Sequence, residues 1–253
     1  MEKYLIQSRC KVLLKEGIYK KIYSELTVYF QPIFLSETNK IFGYEALTRH
    51  ISKNINIQKL FDDAKKDGSI YILDMLCRRN ALKEASKQRL KNYLFINVCP
   101  ETLLNPQHTI GITDQFAEEV NFPKEKIILE ITEQSAIENY EIFIKSLFYY
   151  KDRGYKIAID DFGVGYSGPK LLSLIEPDIV KIDRHFISCL KENPVCKAFI
   201  DFAVKICHEK NIMVVAEGIE THTELLEVLK LEVDLLQGYY LGMPAPNIKT
   251  NVY

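Results

Sequence analysis

Eight short runs rich in β-branched and aromatic residues recur along this chain with helical stretches between most of them, and that alternation limits the fold more than any other feature. The runs cover residues 27–33, 41–48, 93–98, 126–131, 156–160, 178–182, 212–216 and 233–236. Runs this short suit buried strands rather than helices. Between them, Ile70, Leu73, Met75, Leu76 and Leu82 form one apolar helical stripe, Ile142, Ile144, Leu147 and Phe148 a second, and Ala198, Phe202, Val204 and Ile206 a third; Gly154 reads as a helix stop. About eight strands in 253 residues, with no linker and no internal repeat, predict an α/β fold of the (β/α)8 TIM-barrel type. An open doubly wound sheet is the competing architecture. The barrel is favoured because polar residues close nearly every run, whereas an open sheet needs them mainly at its switch point.

Residues 1–25 read as an amphipathic helical lead-in, with Ile6, Leu13, Leu14, Ile18 and Ile22 apolar, and 26–253 as the barrel of the same domain. With 33 basic against 34 acidic residues, the chain is not a mainly electrostatic binder of nucleic acid polymers or membranes. Its apolar stretches fall far short of the ~20 residues of a membrane helix, and Met1–Cys10 lack the build of a secretory signal, so a cytoplasmic protein is expected. Six cysteines without a CxxC pair read as buried, reduced thiols rather than zinc ligands or a disulfide framework.

Carboxylates sit where the runs end. Glu45 follows residues 41–44, Asn97 follows 93–96, Glu130 follows 127–129, and Asp160-Asp161 closes 157–159; Lys181, Glu217 and Gln237 stand in the same relation to the last three runs. Any one of these acids could be a helix cap or turn residue. The set is different, because ionised carboxylates beside a buried strand cost several kcal/mol (roughly) unless a cation compensates. An oxygen-rich group without histidine or cysteine suits Mg²⁺ or Mn²⁺ rather than zinc.

Gly43-Tyr44-Glu45-Ala46-Leu47-Thr48-Arg49, Asp160-Asp161-Phe162-Gly163-Val164-Gly165-Tyr166-Ser167, Val180-Lys181-Ile182-Asp183 and Ala216-Glu217-Gly218-Ile219-Glu220 together resemble the EAL-domain cyclic di-GMP phosphodiesterases. Gln31-Pro32-Ile33 and Gln237-Gly238-Tyr239-Tyr240-Leu241 extend the resemblance, which runs from about Leu26 to Pro246. It implies a barrel whose first strand is antiparallel to the rest, and hydrolysis of cyclic di-GMP to linear pGpG. It further implies two Mg²⁺ or Mn²⁺ ions, one on Glu45, Asn97, Glu130 and Asp160, the other on Asp160, Asp161 and solvent near Glu217.

By the same resemblance Lys181 holds the attacking water, Glu217 is a metal ligand or base, and Gln237 positions water or ligand. Arg49 meets a phosphate, Leu47 a guanine, Gln31 supports that base, and Glu133 anchors the loop 161–168. A homodimer is implied, with Ca²⁺ permitting binding but not cleavage. Leu47 reads equally as core packing, and Lys181 and Gln237 alone read as solvated strand ends. The chain departs from the family pattern at Val164, Gly168-Pro169, Cys99 and His50. The alternatives to an active hydrolase are a cyclic di-GMP receptor or interaction module without turnover, and an unrelated di-metal barrel enzyme.

Overall fold

Each of the eight runs is too apolar to leave a face in water, and the sheet solves this by closing on itself. In the computed structural model, which describes residues 23–52, 55–105, 111–132, 139–165 and 168–248, all eight become strands. They are β1 (Leu26–Leu35), β2 (Ile41–His50), β3 (Tyr93–Asn97), β4 (Ile127–Thr132), β5 (Lys156–Phe162), β6 (Ile179–Ile182), β7 (Met213–Ala216) and β8 (Leu235–Leu236). They pair in chain order into a closed barrel, so the expected (β/α)8 architecture holds and the open sheet does not. β1 runs antiparallel to both β2 and β8, while the other neighbours are parallel. Its reversal has a simple cause. Only Ser36–Lys40 separate β1 from β2, and a parallel partner would need a crossover of about a dozen residues or more.

Helices α1 (Ile57–Asp67), α2 (Ile70–Lys87), α3 (Pro100–Leu104), α4 (Ile112–Glu119), α5 (Tyr140–Lys151), α6 (Gly168–Ile175), α7 (Arg184–Ser188), α8 (Pro194–Glu209) and α9 (His222–Val228) surround the strands. The main core lies between strands and helices. A second, smaller cluster fills the barrel itself: Ile33, Phe95, Ile128, Ala158, Ile179, Val215 and Leu235. On β2 the inward position is Gly43, where a Cβ would lie 2.7 Å from the Tyr93 carbonyl oxygen and 3.0 Å from the Phe95 ring, while partly buried Phe42 packs against the cluster.

Two of the expected helix faces are rotated. In α5 the buried residues are Phe143, Ser146, Leu147 and Tyr150, while Ile142 and Phe148 are exposed. In α8 they are Cys196, Ile200, Ala203, Val204 and Cys207, with Phe202 outside. Both helices carry apolar residues on more than one face, and packing against the barrel, not the apolar pattern alone, decides which face is buried. The stripe on α2 holds, with Ile70, Leu73, Met75 and Leu82 buried, and Gly154 adopts the left-handed conformation of a helix stop, φ +90°.

The thiol expectation also needs correcting. Cys207 is buried and Cys77 and Cys99 are partly so, but Cys189 and Cys196 form a disulfide. Seven residues apart, they meet because α7 and α8 fold back on one another, a proximity no CxxC search detects. The lead-in expected over residues 1–25 lies almost entirely outside the described residues.

One buried charge pair ties the α2 layer to its neighbours. Arg78, wholly buried, donates to Asp74 at 2.5 Å and to Thr113 Oγ1 on α4 at 3.0 Å, while Asp74 accepts the Cys99 amide at 3.2 Å. Removing one partner strands the other charge in the core. Asp74→Ala is therefore expected to lower the unfolding free energy by about 3–5 kcal/mol in urea titration, and the apolar pair Asp74→Leu with Arg78→Met to recover most of that loss.

Candidate active site

Side chains alternate along a strand with period two, and this places the site. One position from each interior plug residue, on the same face, comes a polar group: Gln31 from Ile33, Asn97 from Phe95, Glu130 from Ile128, Asp160 from Ala158, Lys181 from Ile179, Glu217 from Val215 and Gln237 from Leu235. Glu45 stands likewise two residues beyond Gly43, and opposite Gln31 in the β1–β2 register. Glu45 lies in the middle of ten-residue β2 rather than at a strand end. A polar layer thus rests on a dry floor.

Its centre is Lys181, 1% exposed. The ammonium lies 2.5 Å from Glu130 Oε1, 2.6 Å from Glu217 Oε1, 3.2 Å from Asp160 Oδ1 and 3.5 Å from Glu45 Oε2. Burial disfavours its charge, but Asp160, Glu130, Glu217 and Glu45 outweigh burial and hold its pKa well above the ordinary lysine value. For the carboxylates burial prevails over the attraction of Lys181. Burial, then repulsion from Glu45 and Asp160, pushes Glu130 well above the usual range against the pull of Lys181. Burial raises Glu217 in the same way, with Lys181 opposing and Asp160 and Glu45 adding to the rise.

Neutral groups orient Glu45. Gln237 Nε2 donates to its Oε2 at 2.7 Å and Asn97 Nδ2 to its Oε1 at 3.1 Å. Asp161 needs a different device, since consecutive residues of a regular strand face opposite ways. The β5–β6 register shifts between Ile159 and Phe162, and Asp161 takes φ +56°, its amide donating to Asp160 Oδ1 at 3.1 Å. This bulge turns both acids toward the mouth. Burial, with Asp160 and Asp183 nearby, pushes Asp161 up to about 6 against Lys181 and the Thr132 hydroxyl, which donates to it at 3.3 Å.

Five carboxylates therefore face one ammonium, and the donor set fits hard divalent cations. One oxygen each from Asp160, Asp161 and Glu217 lie within 4.8 Å of one another, all donors are oxygen, and Glu130 Oε2 has no hydrogen-bond partner among the described residues. A cavity of about 660 Å³ opens on one side, lined by Leu47, Arg49, Phe61, Asn97, Asp160 and Asp161 among others. A second of about 250 Å³ opens on the other, with Gln31, Glu45, Arg184, Glu217, Gln237 and Tyr239.

Leu47 and Arg49 line the first cavity and Gln31 the second, the Gln31 amide donating to Gly242 O at 3.3 Å. Arg49 donates to Thr48 O at 2.9 Å. Glu133, Tyr166 and Ser167 lie outside the described residues. Of the departures from the family pattern, His50 is buried 3.7 Å from Glu25, Cys99 stands at the residue before α3 with no capping bond from its side chain, and Val164 is exposed. Sequence reasoning missed Thr132, although it stands two residues past Glu130 on the same face, and Phe61, whose place in the cavity only α1 packing determines.

A closed eight-strand barrel with one reversed strand and an acidic layer around a buried lysine defines a TIM-type barrel built to hold cations at its rim. The sequence matches the EAL domain family over residues 18–244, and the chain belongs to that family. It is 31% identical to the cyclic di-GMP phosphodiesterase PdeA of Borreliella burgdorferi over 226 residues, covering 87% of this chain but 34% of that protein. The chain thus spans about a third of that relative's length. Among solved structures it is similar to a standalone versatile EAL protein from Vibrio cholerae O395 in its c-di-GMP bound form (TM-score 0.81, 35% identity, 88% of this chain and 94% of that one). It is also similar to BlrP1 of Klebsiella pneumoniae in a manganese and cyclic di-GMP complex (TM-score 0.79, 28% identity, 87% and 56%).

The raised Asp161 yields a stability test on metal-free protein. A carboxyl whose folded pKa exceeds its unfolded value stabilises the fold below the unfolded pKa, and that stabilisation is lost as pH rises through the folded one. Asp161→Asn, neutral and tolerant of positive φ, is expected to raise Tm in the presence of chelator above pH 6, with the advantage vanishing below about pH 4. Calorimetry across that range checks it.

Proposed function

We propose that this protein is a metal-dependent phosphodiesterase that hydrolyses cyclic di-GMP to linear pGpG, lowering a bacterial second messenger. The observation that carries the reading is the convergence of Glu45, Glu130, Asp160 and Glu217 on Lys181, with Asp161 beside them, between two cavities. A cyclic dinucleotide has two bases on either side of its phosphates, and a site flanked by two unequal pockets suits that shape. The kinship with a named phosphodiesterase and with EAL structures holding c-di-GMP supports the choice of substrate.

Glu45, Asn97, Glu130 and Asp160 would hold one Mg²⁺ or Mn²⁺, and Asp160, Asp161 and Glu217 a second. Two such cations, when bound, lower the pKa of a water and neutralise charge on the phosphoryl oxygens. The chain's own groups do the rest. Lys181 keeps its proton and presents a fixed positive charge to the water and to the phosphate as negative charge builds. Glu217, 2.6 Å from the Lys181 ammonium and lining the second cavity, is placed to act as a metal ligand or as the base that takes the proton from the attacking water. Gln237 and Asn97 hold Glu45 in its orientation. Arg49 offers a guanidinium to the phosphate that is not cleaved, and Leu47 an apolar wall for one guanine; Gln31, across the site, serves the second cavity. Glu133 is assigned to anchoring the loop 161–168.

The working unit is proposed to be a homodimer, consistent with exposed Val164 and Phe202 near that loop. Specific activity that falls on dilution through the monomer transition supports a coupling between dimer and site; a flat profile counts against it.

Incubation with cyclic di-GMP and Mg²⁺ or Mn²⁺ should release pGpG, and tight binding without product would sink the enzyme reading in favour of a receptor. Glu45→Ala should reduce turnover at least about 100-fold with the fold intact by circular dichroism, as loss of a metal-holding group does. Ca²⁺ should support nucleotide binding and not cleavage, since its larger and more flexible coordination misplaces the water; equal turnover with Ca²⁺ contradicts the mechanism.

A further inference from the structure

We propose that the Cys189–Cys196 disulfide is a redox-sensitive brace for the loop that carries Asp160 and Asp161, so that a dithiol reductant, by opening it, loosens the metal-holding acids. The inference rests on the two-cation reading above.

The brace joins the end of α7 to the first turn of α8. α7 is only five residues long, too short to hold its place by its own hydrogen bonds, and the linking residues 191–195 are exposed. Each of the two helices carries one aromatic ring toward the site. Phe186 of α7 stacks on Phe199 of α8 with centroids 4.0 Å apart, and Phe199 stacks in turn on Phe162 at 6.0 Å.

The next residue locks against this stack. Gly163 takes φ +102°, and a Cβ there would lie 2.5 Å from the Phe186 ring and 2.6 Å from that of Phe199. The rings are thus pressed on the loop backbone directly after the Asp161 bulge. A continuous packed path runs from the sulfurs through Phe186, Phe199 and Phe162–Gly163 to the paired acids, and its two-state element is the disulfide itself.

Opening it needs two electrons and two protons, taken from a dithiol. A thiolate of the reductant attacks the Sγ of partly exposed Cys189, and Cys196, which is buried, leaves as a thiolate and is protonated. The second thiolate of the reductant then attacks its own sulfur in the mixed disulfide, Cys189 leaves and is protonated, and the reductant departs as a disulfide. The resulting Cys189 thiol has acceptors in place, with the carbonyl oxygens of His185 and Phe186 at 3.0 and 3.6 Å from Sγ.

Hydrogen exchange of peptides covering residues 160–165, with Mn²⁺ titration by calorimetry, tests this on air-oxidised and dithiothreitol-reduced protein. Reduction is expected to speed exchange and weaken Mn²⁺ binding by about three- to tenfold each. Cys189→Ser should match reduced wild type in either buffer, while Cys207→Ser should respond as wild type does. Equal exchange in the two redox states overturns the brace, as does alkylation mass spectrometry that finds both thiols free after oxidation; both are read on wild type, so they stand even if a variant misfolds. Redox-dependent exchange with no Mn²⁺ binding in either state supports the brace and overturns the two-cation reading instead.

Discussion

The two-residue period of the barrel strands is the constraint on which everything else depends. Seven apolar side chains at one level make a water-free floor, and the same strands, one inward position away, have no choice but to deliver their polar residues together. The floor keeps the local dielectric low, and low dielectric makes the charges above it matter. Had any strand slipped by one residue, its polar group would have turned into the helical layer. Gly43 shows how tight the arrangement is, since the space a side chain would have taken there belongs to Phe95.

Charge imbalance follows from that geometry. An isolated carboxylate at this depth would protonate, and a cluster of them would force the strands apart. Lys181 prevents both by standing among four of the acids as a tethered counter-ion. The upward shifts of Glu130, Glu217 and Asp161 show that one ammonium is not enough. The fold thus stores an electrostatic demand that only protons or added cations satisfy, and the all-oxygen donors favour hard cations over soft ones.

Much of this was legible in the sequence. All eight strands appear as short apolar runs, and the acids at 45, 130, 160, 161 and 217 stood out because each follows such a run. The reversal of β1 was not legible in the runs themselves; only the family resemblance implied it, and its physical reason, the short connection to β2, emerged with the strand bounds. Other features needed the fold. The buried faces of α5 and α8 were misjudged because Ile142 and Phe143, or Phe202 and Ala203, compete on equal terms until a barrel surface chooses between them. Cys189 and Cys196 were misread because their meeting is a property of two helices. The place of Gln31 opposite Glu45 likewise needed the register of β1 against β2.

The reversed first strand has one more effect. In a barrel of uniformly parallel strands the chain enters at the floor end, remote from the rim. Here Leu26 is level with His50 at the rim end of β2, so the polypeptide enters the barrel from its rim end, and Gln31 is five residues along from that doorway. A force or a binding event acting on the chain upstream of Leu26 is therefore applied at the lip of the site and reaches its chemistry along a single strand, a leverage that a conventional barrel denies to its own beginning.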